Sequence, residues 1–375
     1  MQREKILLIA NNNLGLGGIQ NVIMNIVRNL SNQFVFDVVC FDSGKAHFDD
    51  EFESYGGKIF RLRKKTTGSF LQRLDFYTRG IWLYSAIKKI IKAHGPYIAV
   101  HTHKEAENGL ILKAAKKCKV RVRIAHAHTA FQIHCNPIAK RYLRYLKKLI
   151  VQNATEMVCC SEKAGELLFG ENQTFRVVYN TIDRNFLSYD NHQTNEKTVA
   201  PVLLQVGMIC KNKNQKFSIE VLSILKKDYP NAELRLIGAP KDTEMENYLR
   251  ELQEAAKSLQ ISDSVRFLPA DSEVKKEMES ADYLLLPSFF EGLGITIIEG
   301  QALGIRCFVS QGVPPEADCG GCVFLDLESG AKAWADKIRD QYEKDHGQRN
   351  RFDISKFHPD VIMEQYRKLY NGEAF

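Results

Sequence analysis

Two glutamates, Glu291 and Glu299, bracket the glycines Gly292 and Gly294 in the stretch Leu286-Pro-Ser-Phe-Phe-Glu-Gly-Leu-Gly-Ile-Thr-Ile-Ile-Glu-Gly-Gln301. The apolar run Tyr283 to Leu286 before it reads as a buried strand, and Ile295 to Leu303 reads as a short helix. Glycines at such a bend let backbone approach a ligand, and the first free amides of the helix point at whatever lies beyond the strand end. Those amides suit phosphate oxygens. A carboxylate repels phosphate but accepts well from paired hydroxyls, so two carboxylates framing the amides describe a ligand with an anionic middle and a polyol on each side. That is the chemistry of a sugar nucleotide.

The pattern Glu291-x7-Glu299 after a strand ending in Pro287-Ser288 resembles the signature of the retaining family 4 glycosyltransferases, two-domain enzymes of the GT-B fold. The resemblance implies that Glu291 holds hydroxyls of the transferred sugar and Glu299 the ribose. It also implies that the amides of Leu293, Gly294, Ile295 and Thr296 meet the diphosphate. Near the start of the chain Gly17-Gly18-Ile19-Gln20 matches the family's glycine pair, which faces the donor diphosphate across the cleft. After Val202 to Val206, Lys213 matches a lysine that neutralises the departing diphosphate, but the accompanying arginine is replaced by Met208, with Lys211 the nearest cation. His128 takes the place of a histidine that approaches the transferred sugar, with His126 as its rival. Catalytic residues by this likeness are His128, Lys213 and Glu291.

The elements that must position these residues alternate strand and helix. Lys5 to Ala10, Phe34 to Cys40, Lys58 to Leu62, Tyr97 to His101 and Arg121 to Ala125 read as strands, with helices near 19–30, 71–93 and 105–117. Glu156 to Ser161 is a short strand entering a helix cap. A second series holds strands at Val202 to Val206, Glu233 to Ile237, Val265 to Leu268, Tyr283 to Leu286 and Ile305 to Val309, with helices at 216–225, 245–259 and 274–280. The fold class expected is therefore α/β, two Rossmann-like doubly wound parallel-sheet domains facing across a cleft as in GT-B. Residues 1–187 form the first, 188–200 a polar linker and 201–354 the nucleotide-sugar domain. The helix within 355–375 packs back onto the first domain.

His101-Thr-His103 and His126-Ala-His128 mark two strand ends, where open α/β sheets bind ligands. Some of these rings are expected to be buried and satisfied by loop carbonyls. Two HxH pairs can also hold a metal, yet neither has a carboxylate or cysteine at ligand spacing, so no metal is assigned. Asp49-Asp50-Glu51 and Asp271-x-Glu273 read as solvated loop charges. Nine cysteines without regular spacing fit reduced thiols, and Cys319-Gly-Gly-Cys322 fits a glycine-rich turn.

Residues 1–185 carry 29 Lys and Arg against 15 Asp and Glu, a net +14, whereas the remainder is −7. A basic half suits an anionic partner. The basic clusters at 61–65, 116–123 and 140–148 lack any nucleic-acid-binding signature, so nucleic acid is excluded as partner. Arg141-Tyr-Leu-Arg-Tyr-Leu-Lys-Lys-Leu-Ile150 alternates basic and apolar positions, as a helix at an anionic membrane surface would. No apolar run is long enough to span a bilayer, and a cytoplasmic protein, peripheral at the inner membrane face, is expected. The function expected is transfer of a sugar from a nucleoside-diphosphate sugar, with UDP the expected carrier, to a glycan or lipid-linked glycan hydroxyl in capsule or exopolysaccharide assembly. The configuration would be retained and no cofactor or metal needed. Met208 motivates a second reading, a nucleotide-sugar-binding subunit that needs a partner for transfer, and a sugar-nucleotide epimerase of like architecture is a third.

Overall fold

A computed structural model describes residues 3–62, 69–129, 136–187 and 199–374, and the side chains of its third helix from residue 81. The chain divides into two compact units, Met1–Thr181 with Pro359–Phe375, and Ile182–His358. Of the expected linker, residues 188–198 lie outside the described residues, as do 63–65 of the first basic cluster.

In the first unit the order is β1 (Glu4–Ile9), α1 (Gly18–Leu30), β2 (Phe34–Cys40), α2 (Asp49–Ser54), β3 (Ile59–Arg61), α3 (Ser69–His94), β4 (Ala99–Thr102), α4 (Asn108–Lys117), β5 (Val122–Ala127), α5 (Pro137–Asn153), β6 (Glu156–Cys159), α6 (Glu162–Phe169) and β7 (Arg176–Val177). The second unit holds β8 (Val202–Val206), α7 (Gln215–Leu225), β9 (Glu233–Ile237), α8 (Thr243–Ser258), β10 (Val265–Leu268), α9 (Val274–Glu279), β11 (Tyr283–Leu286), α10 (Ile295–Ala302), β12 (Arg306–Ser310), β13 (Cys322–Leu325) and α11 (Gly330–Asp345), after which α12 (Pro359–Asn371) belongs to the first unit.

Each unit is built on one parallel sheet, ordered β3-β2-β1-β4-β5-β6-β7 in the first and β10-β9-β8-β11-β12-β13 in the second. Strands covered on both faces must be apolar throughout, and Ile6-Leu-Leu-Ile9 of β1 is wholly buried. In both sheets the strand order turns back on itself once, between β1 and β4 and between β8 and β11, and ligands of open α/β sheets bind beyond the strand ends at that point. The loops after β1, β4, β8 and β11 therefore flank the two switch points.

Caps start the helices where the sequence offers them. Asn136 accepts from the Ala139 amide ahead of Pro137 to open α5, Ser161 caps α6, and Asp242 accepts from Met245 at 2.9 Å to open α8. Asp49 is not a solvated loop charge: it heads α2, is buried, bonds the Ala46 amide at 2.7 Å and pairs with Arg61, while Glu51 pairs with Arg28 at 2.6 Å. β5 runs to Ala127, beyond the expected end at residue 125, so His126 lies inside the strand.

Helix α11 went unread in the sequence although Trp334, Ile338 and Tyr342 recur every fourth residue, an apolar stripe diluted by charges on three sides. Trp334 is fully buried, meets Phe217 edge to face at 5.2 Å and donates Nε1–H to Asp326 O at 3.0 Å. Truncation removes a large ring from a close-packed core. Trp334→Ala should destabilise the second unit by roughly 3–5 kcal/mol, read as a lowered urea midpoint; a loss under 1 kcal/mol would show that α11 docks through its other residues.

Candidate active site

The end of β8 leads through Gly207 and Met208 into a short 3-10 turn, Lys211–Lys213, and the end of β11 leads through Pro287 to Gly294 into α10. These two loops are stitched together. The Phe289 amide donates to Asn212 O at 2.9 Å, and the Asn212 side chain donates back to Phe290 O at 2.9 Å. Lys213 Nζ then reaches Glu291 Oε1 at 2.6 Å, with side chains 20% and 10% exposed. Such a pair keeps most of its Coulomb attraction because little water screens it.

Further hydrogen bonds from side chains and backbone hold this geometry. Gln205, buried on β8, donates to Lys213 O at 2.7 Å and accepts from Ser218 Oγ at 2.7 Å, so the lysine's main chain is tied to the strand and to α7. The Glu291 amide donates to Gly312 O at 2.9 Å. A Cβ at Gly312 would lie 2.2 Å from Phe289 O, so only glycine allows the β12 loop this close. Gly294 caps α10 at φ 88, a left-handed conformation in which a side chain is strained, and turns the first amides of the helix outward past the strand end. Gln205 and Asn212 were missed in the sequence, because an amide side chain announces no partner until the loops are folded.

Glu299 lies in α10, half-buried. Burial first, and then the like charge of Asp183, pushes its carboxyl up to about 8. Lys211 is exposed at the head of the same turn as Lys213, and Met208 is half-buried, its carbonyl accepting from Gln215 Nε2 at 2.9 Å. Asp271 and Glu273 are exposed after β10.

In the first unit Gly17 is an extended cap for α1 without a side-chain bond, and a Cβ on Gly18 would meet nothing within 4 Å. Lys104 Nζ bonds Asn11 O at 2.7 Å, tying the loop after β4 to that after β1. The four histidines are buried, and contacts with one another and with Tyr370 stand where loop carbonyls were expected for some of them. His101 Nδ1 meets Tyr370 Oη at 2.9 Å, His101 Nε2 meets His126 Nδ1 at 3.1 Å, and His103 Nδ1 meets His128 Nε2 at 2.7 Å. Burial keeps all four rings neutral, His101 and His128 falling to about 3 and the other two well below the usual range. Glu105, which opens the turn after β4 at φ 52, accepts from the His128 amide at 3.2 Å and from Thr129 Oγ1 at 2.9 Å. Burial pushes its carboxyl up to about 7. Cys319 and Cys322 are free thiols, that of Cys319 pushed up to about 11 by burial.

Two family models cover nearly the whole chain: Glycosyltransferase Family 4 matches residues 16–186, and Glycosyl transferases group 1 matches residues 190–354. Among curated relatives, the putative glycosyltransferase EpsF of Bacillus subtilis is 27% identical over 350 residues, covering 89% of this chain and 87% of its own. The capsular polysaccharide biosynthesis glycosyltransferase CapH of Staphylococcus aureus is 26% identical, covering 96% of each. An Escherichia coli UDP-Gal:α-D-GlcNAc-diphosphoundecaprenol α-1,3-galactosyltransferase is 22% identical, covering 79% of this chain and 76% of its own. Among solved structures, Anabaena HepE in complex with UDP and glucose superposes with a TM-score of 0.76 at 16% identity, covering 98% of this chain and 100% of that one.

The raised carboxyl of Glu299 gives a stability test. Its folded value near 8 exceeds the ordinary 4.5, so the folded state holds this proton more tightly than the unfolded state does. The stability it contributes is complete below pH 4.5 and is lost as pH rises through about 8. Glu299→Gln should therefore melt higher than the parent at pH 8.5 and no differently at pH 4.5; equal melting temperatures at both would show an ordinary, solvated carboxylate.

Proposed function

The chain belongs to glycosyltransferase family 4 and has the GT-B fold, and from that premise we propose that it moves a sugar from a nucleoside-diphosphate sugar to an acceptor hydroxyl with retention of configuration. The observation that carries this reading is the Lys213–Glu291 pair beside the N-terminus of α10 at the β8/β11 switch point. Lys213 and the amides from Leu293 to Thr296 would take up the charge of the departing diphosphate, a preorganised stabilisation that needs neither metal nor cofactor. Glu291, its Oε1 held by Lys213, would accept from hydroxyls of the transferred sugar, and Glu299 from the ribose. Gly17 and Gly18 supply a second anion-binding helix start. His128 would meet the sugar through Nδ1, the ring nitrogen that His103 leaves open.

UDP is the proposed carrier; HepE is described with UDP and glucose, and the E. coli relative with UDP-galactose. The proposed acceptor is a glycan or a lipid-linked glycan in capsule or exopolysaccharide assembly, supported by the names of CapH and of the diphosphoundecaprenol-dependent relative. Helix α5 fits such an acceptor. It buries Leu146, Leu149 and Ile150 and exposes Ile138, Lys140, Arg141, Arg144, Tyr145 and Lys148, a cationic face with apolar members. Among the described residues no helix is long and apolar enough to cross a membrane. We place the protein in the cytoplasm, at the inner membrane face.

The direct test is proton NMR of the first product formed from a UDP-sugar and a synthetic lipid-linked acceptor. An α-linked donor should give an α-linked product, and Lys213→Ala or Glu291→Gln should lower kcat by at least about 100-fold. An inverted product overturns the retaining assignment, and full activity in either variant overturns the site. For the membrane, sedimentation with phosphatidylglycerol vesicles should pull down the parent, and a chain carrying Arg141→Glu, Arg144→Glu and Lys148→Glu should stay in solution. Equal sedimentation of both would remove α5 from the account.

A further inference from the structure

Of the clustered histidines on β4 and β5 and just beyond them, the proposed transfer chemistry gives a role to His128 and none to His101, His103 and His126. In a strand, residues two apart share a face. His101-Thr-His103 and His126-Ala-His128 sit on neighbouring parallel strands whose register pairs Thr102 with Ala125, so the four rings stack on one side of the sheet. Ring centroids stand 4.3 Å apart for His101 and His103 and 4.0 Å for His126 and His128. Above them lies α12, with Tyr366 and Tyr370 buried.

We propose that His101, His103 and His126 form a structural binding site for a divalent transition metal of the zinc class. One ring nitrogen from each of the three lies within 4.8 Å of the others. Two nitrogens bound to a tetrahedral zinc at about 2.0–2.1 Å stand roughly 3.3 Å apart, close to the 3.1 Å between His101 Nε2 and His126 Nδ1. Two of the three outer nitrogens are held, as those of metal-bound imidazoles usually are. Tyr370 Oη engages His101 Nδ1, and His128 Nε2 engages His103 Nδ1, so both rings turn Nε2 to the cluster.

His103 Nε2, the nitrogen turned to the cluster, is buried with no hydrogen-bond partner, and so is the Tyr366 hydroxyl on a ring 5.8 Å from His101 and 6.3 Å from His126. Buried polar atoms without partners ask for an ion or a water. Imidazoles alone favour zinc, copper or nickel over magnesium or calcium. His101 is both a ligand and the partner of Tyr370, so the ion would fasten α12 to the sheet. The three proposed ligands are distinct from Lys213, Glu291 and Glu299, which lie in the other unit.

The site is closed to solvent, so the ion must enter during folding. The full chain should be expressed in zinc-supplemented medium, purified without chelator and analysed by elemental mass spectrometry and zinc-edge X-ray absorption. The expected result is one zinc per chain in a shell of nitrogen scatterers near about 2.0 Å. His103→Gln and His126→Gln should each retain less than a tenth of that zinc while keeping the parent's circular dichroism. A natively folded parent that carries no zinc overturns the proposal. So does zinc whose amount the two substitutions leave unchanged, or a shell dominated by sulfur, which would point to cysteines. Should the variants fail to fold, the parent's stoichiometry and scattering shell decide by themselves.

Discussion

A lysine from the loop after β8 and a glutamate from the loop after β11 meet at 2.6 Å, and the geometry of the donor half is arranged to bring them there. Neither residue is near the other in sequence. The sheet order makes β8 and β11 neighbours although two strands intervene in the chain, so their loops emerge side by side. Gln205 then fixes the lysine's backbone, Asn212 laces the loops together, and the contact at Gly312 seats Glu291. A largely desolvated pair is expensive to separate, and its geometry keeps both groups in place until a ligand offers each a better partner. Phosphate is such a partner for the lysine, and sugar hydroxyls are such partners for the carboxylate.

The first unit uses the same sheet device differently. Its switch point lies between β1 and β4, where the open start of α1 at Gly17 and Gly18 faces out, while the ends of β4 and β5 turn inward. Asn108 pins those two strands, accepting from Thr102 Oγ1 at 2.8 Å and donating to His126 O at 3.3 Å. The histidines between them are closed over by α12, whose Tyr370 meets Phe34 and Phe36 edge to face as well as His101. Packing of the chain's last helix and placement of the histidines are thus one arrangement.

Much of this was legible in the sequence. β2, β8, β9, β10 and β11 have the limits read for them; β11 is the uninterrupted buried run that a doubly covered strand leaves, while β9 and β10 carry Arg235 and Arg266 between their apolar residues. The glycines around Glu291 marked the bend, since Gly294 needs the left-handed conformation. Short or charge-diluted elements escaped: α2, β7, β13 and α11 each lack a long run or a cap motif. Asp49 misled because burial of an acid depends on a distant arginine, Arg61, that no local pattern reveals. His126 and His128 were placed at a strand end because alternation with alanine carries no stop signal, and β5 simply continues through the first of them.

Isothermal titration with UDP on the parent and on Lys213→Met tests the central claim most directly, since the substitution keeps length and volume but removes the charge. The account predicts saturable one-to-one binding by the parent and at least about tenfold weaker binding by the variant, a loss of roughly 1.4 kcal/mol or more. Equal affinity for UDP in the two proteins would contradict it, because the diphosphate would then be held somewhere other than the loops after β8 and β11.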